Sequence, residues 1–117
     1  MKTEYDYIPD LVTRAGSLTR LFFGFEAVTK TINEQEIIKY QGHNVDISGT
    51  IEYGRVVSAV IKEEYPDDRR DAIISNREIV RDNPEHEKAV EYTQEYEAFQ
   101  GWRIYAKEIA IQVLALI

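Results

Sequence analysis

Leu18-Thr19-Arg20-Leu21-Phe22-Phe23-Gly24-Phe25-Glu26-Ala27-Val28 is the stretch whose reading decides the fold class. Its density of Phe and Thr suits a pleated, half-buried surface, so the stretch predicts a strand. Gly24 within it marks a bulge or a close backbone contact. Toward the N-terminus, Ala15-Gly16-Ser17 predicts a tight turn leading out of a short strand around Leu11 to Arg14. Toward the C-terminus, Thr31-Ile32-Asn33-Glu34-Gln35 is a polar break ahead of a strand at Glu36-Ile37-Ile38-Lys39-Tyr40. Gly42-His43-Asn44 then reads as a second break, before the alternating Val45-Asp46-Ile47. The product is a small antiparallel meander of three or four short strands.

Near Gly49 the hydrophobic period changes. Ile51, Val56, Val57, Val60, Ile61 and Tyr65 recur at three- and four-residue spacings, which defines one helix face. Thr50 or Ser48 is available as its cap, and Pro66 ends it because the residue before a proline avoids the α region. A second helix is expected from Asp67 or Asp68, whose charges favour the positive helix end. It buries Ala72, Ile73, Ile74, Ile79 and Val80, with Asn76 as a point of interruption. Asn83-Pro84-Glu85 has the chemistry of a third helix start, with Asn as N-cap and Pro at the first helical position. From there to about Leu114 only Gly101 breaks the run, so a helix of about 30 residues and about 45 Å is expected. The fold class is therefore α+β: the meander, then three helices with the last one long. Residues 1–117 form a single domain, with a β-rich part at 1–48 and a helical part at 49–117.

Composition narrows the class further. The chain has 117 residues, is 44% hydrophobic, and carries 21 acids against 14 bases for a net charge of −7. One core is the expectation at this length. Without cysteine there is no disulfide framework, no thiolate zinc site and no cysteine nucleophile. An acidic surface repels phosphate and disfavours nucleic acid as a partner. The acid is concentrated: residues 61–117 hold thirteen acids and eight bases, and between 85 and 97 five glutamates meet only Lys88. The start Met1-Lys2-Thr3-Glu4-Tyr5-Asp6-Tyr7 lacks the apolar core of a signal peptide. No run approaches the roughly 18 apolar residues of a membrane span. The expected location is cytoplasmic, or within a virion, with no membrane partner.

Catalytic motifs are absent. There is no Gly-x-Ser-x-Gly elbow, no Gly-x-Gly-x-x-Gly and no Gly-Lys-Ser/Thr phosphate loop. His86-Glu87 begins like His-Glu-x-x-His, but Val90 stands where the second histidine is needed. His43 reads as a loop residue and His86 as a first-turn residue, both exposed. Glu87, Glu91 and Glu95 share a helix face without the Glu-x-x-His partners of a di-iron bundle, and read as a solvated acidic face. No cofactor, metal or small-molecule ligand is expected. The concentration of Tyr92, Tyr96, Phe99, Trp102 and Tyr105 on one helix points instead to contacts, because Trp and Tyr anchor both cores and interfaces. Two apolar stripes on that helix exceed what a small sheet covers, so the five aromatics are also candidate partner-binding residues, facing a protein partner or another subunit.

A wider layout joins these features. Tyr7-Ile8-Pro9-Asp10-Leu11 precedes a helix ending at Tyr65, then Ala72-Ile73-Ile74-x-Asn76, then Tyr96-x-x-Phe99-Gln100-x-Trp102-Arg103-x-x-Ala106-Lys107. This layout resembles small uncharacterised proteins encoded in prophage tail and tail-fibre regions, and the likeness covers most of the chain. The resemblance implies a structural or assembly role and carries no functional residue with it. The expected function is thus a non-catalytic structural or assembly protein, phage tail-associated, acting through protein–protein contacts. Two other classes compete. One is an acidic regulator that occupies a basic site on a partner in the manner of a DNA mimic. The other is a small enzyme using carboxylates and His86.

Overall fold

The computed structural model describes residues 2–117. It is an α+β protein in two layers, one a four-stranded antiparallel sheet and the other three helices. The strands are β1 (Thr3–Tyr5), β2 (Val12–Ala15), β3 (Leu18–Ile32) and β4 (Gln35–Ser48), in the spatial order β1-β4-β3-β2. The helices are α1 (Tyr53–Glu64), α2 (Asp67–Asp82) and α3 (Ala89–Leu116). The body measures 49 × 47 × 21 Å, a plate about as thick as one sheet and one helix layer.

Two of the four strands are long. Gln35 to Ser48 runs as one strand, so Gly42-His43-Asn44 does not break it. The reason lies across the sheet. A Cβ at Gly42 would meet the Phe25 ring at 2.6 Å, so glycine here is a seat for an aromatic ring and not a turn. The expected polar break is confined to two residues. Asn33 and Glu34 adopt positive φ of 51° and 65° and join Ile32 to its partner Gln35, the twist that a two-residue hairpin requires. Gly16, at φ 62°, makes the other tight turn between the paired residues Ala15 and Leu18. Thr3 to Tyr5, which no sequence signal marked as a strand, pairs with Tyr40 to Gly42.

Gly24 and Phe25 lie together opposite Gly42, a bulge that shifts the register between Phe23 and Glu26. A bulge changes which side chains face each way beyond it. Before it, Thr19, Leu21 and Phe23 point under the helices and are buried. After it, Phe25 falls on the opposite face, against Tyr5 with ring centroids 5.5 Å apart. Tyr5 also meets Phe22 edge-on at 5.8 Å.

The helix boundaries follow the chain's own punctuation, with two corrections. α1 begins at Tyr53 behind Glu52 and has no side-chain cap. Thr50 instead offers its carbonyl to the Arg55 guanidinium. Pro66 separates α1 from α2 as expected, and Asn76 does not interrupt α2. Asn83 closes α2, donating its N–H to the Ile79 carbonyl, and does not cap α3. His86 and Ala89 donate to the carbonyls three residues before them, at Asn83 and His86. These are tight turns, so α3 starts only at Ala89.

Two apolar clusters hold the layers together. Leu21, Phe23 and Ile47 of the sheet meet Val56 and Val60 of α1 and Ala106, Ile109, Ala110 and Val113 of α3. A smaller cluster joins Tyr65, Ile73 of α2 and Phe99. Among the described residues, no helix is long and apolar enough to cross a membrane.

Candidate functional site

A cleft of about 560 Å³ opens where the bulge of β3, the C-terminal end of α1 and the middle of α3 converge. Its wall includes His43, which the sequence placed in an exposed loop. His43 is in fact 2% exposed, because β4 continues through it and turns the imidazole under the helices. The ring stacks on Phe23, with centroids 5.6 Å apart and planes 11° apart, and meets Trp102 edge-on at 5.1 Å. Its Nδ1 lies 3.4 Å from a Glu63 carboxylate oxygen, and its Nε2 is 3.7 Å from one of Glu64. Those acids close α1, and 20 residues separate Glu63 from His43, which is why no short motif revealed the group.

The bulge fixes the rest of the wall. Gly24, at φ 67°, would bring a Cβ to 3.1 Å from His43 Cδ2, so the left-handed glycine allows the strand to pass close over the imidazole. Burial pushes the Tyr105 phenol above its ordinary pKa, while a hydrogen bond with the Gly24 backbone opposes that shift. Lys2 crosses the mouth and bonds Glu26 at 2.9 Å. That bond raises the lysine pKa and lowers the glutamate pKa.

This arrangement has an acid–base couple, His43 with two carboxylates, but the imidazole is shielded by Phe23 and Trp102. No serine lines the cleft. Among the described residues, no group of three or more His, Asp or Glu is placed to hold a metal ion. The polar groups of the cleft are engaged with one another, and they tie α1 and α3 to the sheet at the edge of the main core.

The five candidate aromatics are divided among three places. Trp102 donates from Nε1 to the Val60 carbonyl at 2.8 Å, and it packs with Tyr105 and Phe23 at the cleft. Phe99 is buried against Tyr65, with centroids 5.0 Å apart. Tyr96, half-buried, joins the same cluster and lies under Arg77. Tyr92 stacks on His86 at 5.9 Å, and His86 Nδ1 accepts the Lys88 N–H. All five therefore have contacts within the chain. The stripe Trp102, Tyr105, Ile109, Val113 packs against the sheet and α1. Glu87 precedes α3, so of the acidic trio only Glu91 and Glu95 share its helical face.

Exposed aliphatic side chains lie elsewhere on α3. Ile104 and Ile111 are 60% and 62% exposed, and Leu114 stands beside them at 37%. Comparison of the chain with family models, with curated proteins and with solved structures found no match.

Proposed function

We propose that this chain is a non-catalytic structural or assembly protein that works through protein–protein contacts, in the setting of a phage tail. The observation that carries the contact role is the apolar group Ile104, Ile111 and Leu114 on the solvent side of the longest helix. Burying such side chains is favourable by about 25 cal/mol per Å² of apolar surface removed from water, and contiguous exposed apolar surface marks contact sites. The cleft supports the same reading, since its titratable groups bond one another and tie the layers together. The tail setting rests on the likeness of the α2 and α3 spacings to prophage tail-region proteins. In that setting the chain is made in the cytoplasm and meets its partners there or in the assembling particle.

The test is to delete the coding sequence from a lysogen that carries it and to examine induced particles by electron microscopy and mass spectrometry. Defective tails, with the chain present in wild-type particles, support a structural component. Defective tails with the chain absent from particles support an assembly factor. Normal, infectious particles after deletion contradict the reading.

A further inference from the structure

We infer that the cleft over His43 is a binding site for a primary alkylammonium group. The inference is independent of the contact role proposed above and gives a ligand to a cleft that role uses only as a tie between layers. A volume of about 560 Å³ lies in the usual range of small-molecule sites. Gly101, in the middle of α3, forms part of its wall. A Cβ there would meet nothing within 4 Å, and glycine weakens a helix interior relative to alanine. Among the described residues no packing requires the gap, so the helix gives up stability and leaves space on the cleft side. Trp102 and Tyr105, on the same wall, are half-buried. Their ring centroids lie 5.2 Å apart with planes at 51°, and part of each ring faces the opening.

The chemistry of the wall selects a cation. Glu26 and Glu64 both line the cleft, and Lys2 is the one lysine or arginine beside them. Glu64 has capacity to spare. Its neighbours Arg69 Nη1 and His43 Nε2 are each 3.7 Å from a carboxylate oxygen, beyond hydrogen-bond distance. Among the described residues that carboxylate accepts no hydrogen bond. Aromatic faces attract cations as well, so the rings and the acids act together.

An ammonium already stands at this place. Lys2 Nζ lies 2.9 Å from a Glu26 oxygen. That hydrogen bond raises the lysine pKa, and the Glu64 carboxylate adds to the shift. Lys2 therefore marks both the chemistry and the position of the ligand. It is also a weak occupant: the two side chains are 44% and 58% exposed, and exposed ion pairs contribute little. An incoming amine that lays its carbon chain along Trp102 and Tyr105 displaces Lys2 and takes its carboxylate.

Trp102 is the chain's single tryptophan, so its indole N–H gives one NMR resonance on the cleft wall. Titration with cadaverine at constant ionic strength should move that resonance with a dissociation constant of about 1 mM, as expected for modest ion pairs, a cation–π contact and a short apolar chain. Glu64→Gln should weaken binding about fivefold. Lys2→Gln removes the resident cation and should tighten it by about the same factor. Gly101→Leu fills the cleft and should abolish binding while raising the melting temperature. Glu91→Gln, about 15 Å from Gly101 along α3, should leave binding unchanged, which separates the site from attraction to the net charge. Binding of cadaverine alone identifies a free amine as the ligand. Equal or tighter binding of a capped Gly-Lys-Gly peptide identifies a lysine side chain borne by another protein. An indole resonance that stays still at about 10 mM cadaverine, ten times the expected constant, would overturn the inference. So would an equal shift in Gly101→Leu, or a Lys2→Gln variant that binds more weakly.

Discussion

Between Leu18 and Phe23, β3 lies beneath α1 and α3; between Glu26 and Ile32 it does not. The two halves of the hairpin share one backbone ladder and differ in what supports it. The near half contributes Leu21, Phe23 and Ile47 to the main core. In the far half, no residue from Glu26 to Gln41 is buried. Its helix-side face carries ion pairs in place of apolar packing: Lys2 with Glu26, Lys30 with Glu4, and Lys39 with Asp6. Each pair links β3 or β4 to the N-terminal segment around β1. Exposed ion pairs contribute little and are screened by salt, so the far half depends on its ladder and on the Tyr5–Phe22–Phe25 aromatic group at its root. One hairpin thus has a rigid end set in a core and a projecting end that water reaches on both faces.

The sharpest way to break this contrast is to delete equivalent apolar volume at each end. Leu21→Ala removes a fully buried side chain and should cost about 3 kcal/mol, in the range for large-to-small core changes. Ile38→Ala, at a position 58% exposed, should stay within about 0.5 kcal/mol. Urea denaturation of the two variants measures both. The boundary between the halves is next. Gly42→Ala drives a methyl into the Phe25 ring and should cost about 1–3 kcal/mol as overpacking. Displacement of the Tyr5 ring resonances by NMR would distinguish this cause from a general loss of fold.

At the tip, Glu34 holds a left-handed conformation that L-residues adopt at a cost of about 1 kcal/mol. Glu34→Gly should therefore stabilise the protein by about 0.5 kcal/mol, the relief being partly offset by the entropy of an unfolded glycine. A rise in the urea midpoint would show it.

The smallest effect is electrostatic, and its sign is fixed by the carboxylates. Hydrogen bonds from Lys2, Lys30 and Arg20 hold Glu26, Glu4 and Asp46 below their ordinary pKa values. The unfolded chain then binds protons more readily, so this contribution is present above the ordinary carboxylate range, near pH 4, and is lost as pH falls through the depressed folded values. A stability profile should decline at that acid end, and high salt should flatten the decline.

How much of this was legible in the sequence depends on how local each cause is. Pro66, Gly16 and the acids at the start of α2 act on their own neighbours, and the elements they delimit follow directly. Gly42-His43-Asn44 misled because its composition is that of a turn, whereas its conformation is set by Phe25 across the sheet and by the helices above. The α3 start was read from Asn83-Pro84, a sound helix-start pair that is here used to close α2. The cleft was invisible because His43, Glu63, Glu64 and Tyr105 come from three elements without a shared motif. The aromatic run from Tyr92 to Tyr105 suits core packing and partner contact alike by its sequence, and each member has contacts within the chain. The exposed face of α3 is carried by aliphatic residues only a few positions further on.

The division of the hairpin is tested most directly by hydrogen exchange with mass spectrometry at low and high salt. The laddered amides of 19–23 and 43–47 should exchange only at the rate of global unfolding, independent of salt beyond its effect on overall stability. Amides of 26–32 and 35–41 should exchange faster through local opening, and faster still in high salt. Equal protection along the whole hairpin, unchanged by salt, would contradict it.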